Sequence, residues 1–186
     1  GVLFTNKGKD DDVVAESLQF LKFWEKQAAA SSSQKKLKVD VDVCAVFAIK
    51  AQWSLTGDDT YKKWCKFYQD AADANLARVL LVTGNPKKPL DSIGILKRFA
   101  PTVKDAYGKS KRRPRIGVAF SPYILDESTR MEERVRLTTK LSTGIVDDVW
   151  LQFGGDAKRL KQELEWLSQT HGKGADKKKS FDFELH

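Results

Sequence analysis

Cysteine and histidine are scarce in this chain, with two of each among 186 residues. Cys44 and Cys65 lie inside apolar-patterned segments, and neither has a second cysteine or a histidine at metal-ligand spacing. That excludes a disulfide framework and a structural zinc site, and both read as buried thiols in a reducing compartment. His171 and His186 fall toward the chain end, in what reads as a tail, which argues against a histidine-based triad and leaves no metal expected. No apolar run approaches the ~20 residues of a bilayer-spanning helix, so no membrane span is expected. GxGxxG, P-loop and GxSxG signatures are all missing. Gly84-Asn85-Pro86-Lys87-Lys88 is too short to cradle a triphosphate, so nucleotide chemistry lacks its main mark. The chain begins at Gly1 and not at methionine. It is read as a processed, trimmed or partial product, in which a targeting peptide would already be absent.

What the chain does have is a core's worth of apolar residues and an uneven positive charge. Its five tryptophans and 41% hydrophobic content argue for a packed globule over disorder. The formal charge of +8 gathers in Lys35-Lys36-Leu37-Lys38, in Lys87-Lys88, in a loop holding Lys109, Lys111, Arg112, Arg113 and Arg115, and in Lys177-Lys178-Lys179. These runs suit contact with RNA or an acidic partner, and they equally suit solvated basic loops. None carries the aromatic spacing of a single-strand binding platform.

The sharpest local signal is Val79-Leu80-Leu81-Val82-Thr83-Gly84-Asn85-Pro86. Its apolar run has no alternation and stops at a Gly-Asn-Pro turn, as in a parallel strand covered on both faces. Residues 2–5 read as a first strand. Val14, Leu18, Leu21 and Trp24 predict an amphipathic helix over 13–30, behind an acidic cap at Asp10-Asp11-Asp12. A polar linker over 31–36 precedes a strand over 37–49. Thr56-Gly57-Asp58-Asp59 starts a helix whose face carries Tyr61, Trp64, Cys65, Tyr68 and Ala72. A helix over 90–99 is expected to stop at Pro101. Residues 116–120 form a strand closed by Ser121-Pro122, and Ser128 or Thr129 caps a helix that reaches Leu141 and ends by Gly144. A strand over 148–153, a helix capped by Asp156 with Leu160, Leu164 and Leu167 on one face, a basic linker over 172–179 and a strand over 181–185 complete the chain.

Strand centres near Val43, Leu80, Val118 and Trp150 lie roughly 35 residues apart, with a helix between each pair. That beat predicts an α/β fold with parallel strands. Two architectures fit: a partial or degenerate (β/α)8, TIM-type barrel, or an open doubly wound sheet. A full barrel usually takes ~250 residues, so a barrel here is incomplete. Residues 1–170 read as one domain and 171–186 as a basic tail with a terminal strand. Ligand-contacting groups in such folds sit at the carboxyl ends of the strands, which singles out the turn at residues 83–86.

The order of motifs from about residue 75 to 166 resembles the methylenetetrahydrofolate reductase family. The family's L-A-L-R-G-D-P is similar to Leu80-Leu81-Val82-Thr83-Gly84-Asn85-Pro86, and its I-G-V-A-x-Y-P-E to Ile116-Gly117-Val118-Ala119-Phe120-Ser121-Pro122-Tyr123. Leu137, Lys140 and Gly144, then Leu151-Gln152, follow the order of its L-x-x-K-x-x-A-G and its strand ending in T-Q, with about one extra residue between. Phe4 and Lys7 echo its opening S-x-E-F-F-P-P-K. The resemblance covers roughly half the chain. It implies a flavin-dependent (β/α)8 barrel that reduces methylenetetrahydrofolate with electrons from a nicotinamide cofactor.

By the same resemblance, Asn85 stands where the family has its catalytic aspartate, between flavin and folate. Thr83 replaces an arginine, Ser121 and Tyr123 replace a flavin-contacting tyrosine and a glutamate, and Gln152 keeps a folate-contacting glutamine. An amide at 85 retains size and hydrogen bonding but not the charge that stabilises a cationic intermediate. The family's opening glutamate, a general acid, has no counterpart among Val2, Leu3 and Phe4. The expectation is therefore a reductase-like protein that has lost catalysis. It would serve as a structural or interaction subunit of a hetero-oligomeric complex, in the mitochondrial matrix or another organelle. No cofactor is expected, FAD being the one if the ancestral site still works. Two alternatives stand beside it. One is an active FAD-dependent oxidoreductase with Asn85 and Gln152 around a folate or pterin. The other is an RNA-contacting protein of a ribonucleoprotein, using the loop over 109–115 and the lysines at 177–179.

Overall fold

Strands and helices alternate along the chain in the order β1 (Val2–Thr5), α1 (Val13–Ala30), β2 (Val43–Ala48), α2 (Gly57–Asp73), β3 (Arg78–Val82), α3 (Ser92–Ala106), β4 (Arg115–Phe120), α4 (Glu127–Leu141), β5 (Asp148–Leu151), α5 (Ala157–His171) and β6 (Glu184–Leu185). A 3-10 turn, Ile49–Ala51, follows β2. This computed structural model describes residues 2–5, 12–30, 43–51, 56–83, 89–106, 113–171 and 184–185. The pairings of β1 with β2, β2 with β3, β4 with β5 and β5 with β6 are all parallel, so the fold is α/β with parallel strands. The expected linker over 31–36, the strand's first part over 37–42 and the basic linker over 172–179 lie outside the described residues. The chain divides into two compact units, residues 1–91 with 109–115 and residues 92–108 with 116–186.

In the first unit, Val43 to Phe47 is buried without a break, which fits a parallel strand covered on both faces. Val79, Leu80 and Leu81 of β3 are buried in the same way, while the ends of that strand, Arg78 and Val82, are partly open. Ile49, expected as strand, is instead the first residue of the 3-10 turn, though still buried. The α2 helix starts where its sequence places it. The Thr56 hydroxyl oxygen accepts from the Asp59 backbone N–H at 3.1 Å and donates to the Asp59 carboxylate at 2.6 Å, so the cap and the first-turn acid satisfy each other. The helix ends in a Schellman motif: Leu76 N–H donates to the Ala71 carbonyl at 2.9 Å and Asn75 N–H to that of Ala72 at 3.0 Å. Asn75 takes the left-handed position, φ 55°, which a short amide side chain tolerates better than most.

The buried face of α2 carries Thr60, Trp64, Tyr68 and Ala71. Tyr61, Cys65 and Ala72, expected on that face, are only half-buried. Trp64 meets Phe47 of β2 edge to face at 5.4 Å, and Phe67 and Tyr68 complete an aromatic cluster. The Tyr68 hydroxyl leaves the apolar layer to donate to the Pro114 carbonyl at 2.9 Å. Cys44 is buried in β2 and Cys65 is half-buried on α2, and neither forms a disulfide.

In the second unit, Ile95, Leu96, Ile116, Val118, Leu137, Leu141 and Val149 are all buried, with Phe120 and Leu167. Two sequence expectations change here. Pro101 lies inside α3 and does not stop it. Its ring removes one backbone bond to the Lys97 carbonyl, but Lys97 and Pro101 are both exposed, so water can satisfy that carbonyl. The cap of α4 is Asp126 and neither Ser128 nor Thr129. Its carboxylate reaches the Thr129 N–H at 2.7 Å, the N3 donor that a cap residue is spaced to reach.

Replacing Pro101 by alanine restores a backbone donor within α3. It is expected to stabilise the protein by about 1–2 kcal/mol, read as a higher urea midpoint at unchanged slope. A lower midpoint would show that proline at 101 fits the chain better than a continuous helix does.

Candidate functional site

The carboxyl ends of β4 and β5, both in the second unit, bring three of the sequence-predicted residues together. Gly117 pairs with Asp148 and Phe120 with Leu151. Gln152 N–H extends the ladder past the strands by donating to the Phe120 carbonyl at 2.9 Å. Ser121 and Gln152 therefore leave adjacent strands side by side, with Ser121 half-buried and Gln152 exposed. Two residues on, the chain after β4 folds back over the chain after β5. A Cβ on Gly154 would lie 2.6 Å from Cγ and Cε2 of Tyr123, so the phenol ring rests directly on the glycine backbone. Nearby, the Arg159 guanidinium donates to the Ile124 carbonyl and lies 3.6 Å from Asp156. These contacts hold the two strand-end loops against each other.

Two large apolar residues project from the loops: Leu125 is 81% exposed and Phe153 98%. The helices beyond them are capped by carboxylates. Asp126 accepts from both the N–H and the hydroxyl of Thr129, each at 2.7 Å, and Asp156 accepts from the Arg159 N–H at 3.0 Å. The Thr129 N–H, then its hydroxyl, hold the Asp126 carboxyl below the ordinary aspartate range.

Behind the site, α4 and α5 are joined by polar contacts that hydropathy does not reveal. Glu163 is buried and takes a two-pronged contact from Arg134, with Nε and Nη2 each at 2.8 Å, and Arg130 lies 3.6 Å away. The Arg134 guanidinium also sits 4.9 Å from the centre of the Trp166 ring. His171 is not part of a tail: it closes α5, is buried, and its Nε2 lies 3.1 Å from the Thr138 hydroxyl. Leu160 and Leu164, expected to be buried, are half-buried, and the inward face is Glu163, Leu167 and His171. The four-residue spacing of that set is present in the sequence, but a charge and an imidazole mask it. Lys140 is buried as well, with its ammonium donating to the Ala119 carbonyl at 3.1 Å.

The remaining predicted residues do not join this group among the described residues. Thr83 belongs to the first unit, just past β3, and its carbonyl accepts from the Lys50 N–H at 3.0 Å. Arg113 and Arg115 belong there too, and both are half-buried. Arg113 donates to the Pro114 carbonyl at 3.2 Å, and Arg115 N–H to that of Ala77 at 2.9 Å. Asn85, Lys109, Lys111, Arg112, Lys177, Lys178 and Lys179 lie outside the described residues. A cleft of 340 Å³ in the first unit, walled by Leu18, Leu21, Lys22, Glu25 and Leu76, opens by Val43 and Ala77. Those residues are at the amino ends of β2 and β3, opposite the ends where ligands bind in strand-helix folds. Among the described residues no cluster of three or more His, Cys, Asp or Glu could hold a metal, and no helix is long and apolar enough to cross a membrane. No protein-family model matches the chain, and no curated protein matches it in sequence.

The loop and cap contacts make two measurable demands. Gly154→Ala is expected to cost about 1–3 kcal/mol by driving the Tyr123 ring away, and to become nearly neutral in a Tyr123→Ser background. A double-mutant cycle by chemical denaturation decides this; independent, additive costs would mean that the ring does not rest on residue 154. For Asp126, the folded carboxyl titrates below its unfolded value, so its contribution is complete above the ordinary aspartate range and disappears as pH falls through the lowered value. Asp126→Ala should therefore lower the melting temperature at neutral pH, with a deficit that shrinks in acid.

Proposed function

We propose that the chain is a methylenetetrahydrofolate-reductase-like β/α scaffold that has lost catalysis and serves as an interaction subunit of a larger protein complex. A partial (β/α)8 barrel is the finer architecture in this reading. Within each unit the strands pair in sequence order, β1-β2-β3 and β4-β5-β6, with a helix between successive strands, which is how such a barrel is wound.

The observation that carries the reading is the packing of Tyr123 on Gly154. A β/α scaffold keeps its shape through buried strands, while its chemistry depends on a few strand-end groups. At the ends of β4 and β5 those groups are a serine hydroxyl, a tyrosine already packed on protein backbone, and a neutral amide. The positions that would contact a flavin by resemblance, Ser121 and Tyr123, do not fit one: the first offers a short hydroxyl and the ring of the second fills space over the β5 end. Gln152 still supplies hydrogen bonds at the surface, but a neutral amide has no proton to hand on. Membership of a hetero-oligomer, in the mitochondrial matrix or another organelle, belongs to the same reading.

Purified protein is expected to be colourless, to show no absorbance in the flavin bands, and to reduce no methylenetetrahydrofolate when FAD and a reduced nicotinamide cofactor are supplied. Stoichiometric flavin in the protein, or turnover that Gln152→Ala abolishes, would overturn the proposal.

A further inference from the structure

We infer that Met131 is an oxidation site: a hydroperoxide converts its thioether to the sulfoxide, and the new oxygen accepts a hydrogen bond from Arg134 that tightens the contact between α4 and α5. This goes beyond the non-catalytic reading and does not depend on it.

Met131 is the only methionine of the chain and is 49% exposed on α4, so an oxidant in solution reaches its sulfur without opening the fold. One turn later on the same helix, all three guanidinium nitrogens of Arg134 are engaged. Nε and Nη2 hold the buried Glu163 carboxylate at 2.8 Å each, and Nη1 faces the Met131 sulfur at 3.8 Å. A thioether is a weak acceptor, so that third contact is the poorest of the three. The cysteines are less open to reagent: Cys44 is buried and Cys65 half-buried.

Transfer of one oxygen atom from the hydroperoxide forms an S–O bond as the O–O bond breaks. Sulfur is oxidised by two electrons, the peroxide is reduced by the same two, and the remainder leaves as water or an alcohol. The product is a polar sulfoxide that a reductase returns to the thioether. The 3.8 Å between the sulfur and Nη1 is a gap that an S–O bond and a bent N–H···O contact of about 2.9 Å span together. The sulfoxide oxygen therefore meets a cationic donor, which makes the bond stronger than a neutral one. Sulfoxide formation ordinarily disrupts a core, but a side chain half in water has no core to disrupt. The sign is reversed here: oxidation braces the guanidinium that holds Glu163, and with it the seat of α4 on α5.

The test treats the full chain with an alkyl hydroperoxide and reads it in two ways. Peptide mass spectrometry should place one added oxygen on Met131, and the oxidised protein should melt about 2 °C above the untreated one. Met131→Leu, which roughly keeps the volume and offers no sulfur to oxidise, should show no rise under the same treatment. Met131→Gln, whose amide oxygen stands in for the sulfoxide at similar helix propensity, should show the rise with no oxidant. Methionine sulfoxide reductase with a thiol reductant should reverse the rise in the oxidised wild type and leave Met131→Gln unchanged. An unmodified Met131, an oxidised protein that melts at or below the untreated one, or an equal rise in Met131→Leu would overturn the inference.

Discussion

The parallel ladder between β4 and β5 continues for one hydrogen bond beyond the strands, from Gln152 N–H to the Phe120 carbonyl. That bond sets two chain ends at the same height, and the contacts of both strand-end loops depend on it. Because Ser121 and Gln152 leave together, Tyr123 arrives over Gly154 and Ile124 arrives within reach of Arg159. Strands buried on both faces have only their ends to offer. A tyrosine committed to packing at such an end is therefore a larger functional statement than the same tyrosine in a core. Geometry here favours a held surface over an open pocket.

The layer behind that surface is stabilised in an unusual way for its position. Glu163 faces inward between α4 and α5, where an apolar side chain would cost nothing to desolvate. Arg134 answers it with two short bonds while its guanidinium also lies over Trp166. Such a pair adds little net stability compared with a well-packed apolar pair, yet losing one partner leaves a buried charge uncompensated. Its effect is to fix how α4 sits on α5, since a two-pronged contact tolerates little sliding or rotation.

Legibility depends on the kind of signal each residue carries. The helix over Val13–Ala30 and the aromatic face of α2 are readable because periodicity marks them, and the Thr56 cap because its spacing to Asp59 is fixed by backbone geometry. The four β-α beats come from strand spacing alone. Pro101 misleads because its cost is small on a helix surface where a carbonyl can turn to water. Asp126 is obscured by Ser128 and Thr129, since all three residue types are good caps and only the first precedes the helix. Glu163 and His171 stay hidden because hydropathy reads a charge or an imidazole as outward, and only a partner on another element, Arg134 or Thr138, reverses that. The seat of Tyr123 on Gly154 has no sequence signal, since it joins two loops through shape and not through pattern.

The bond from the Tyr68 hydroxyl to the Pro114 carbonyl spans a long stretch of chain within a single unit. Residues 109–115 complete the first unit, yet they are made only after all of α3. On the ribosome, the aromatic layer around Trp64 can gather early, but the buried phenol must wait for its acceptor until residue 114 has emerged. Until then the Tyr68 hydroxyl has water, and not the Pro114 carbonyl, as its partner. Synthesis order therefore makes the close of the first unit a late event, set by the translation of a helix that belongs to the second.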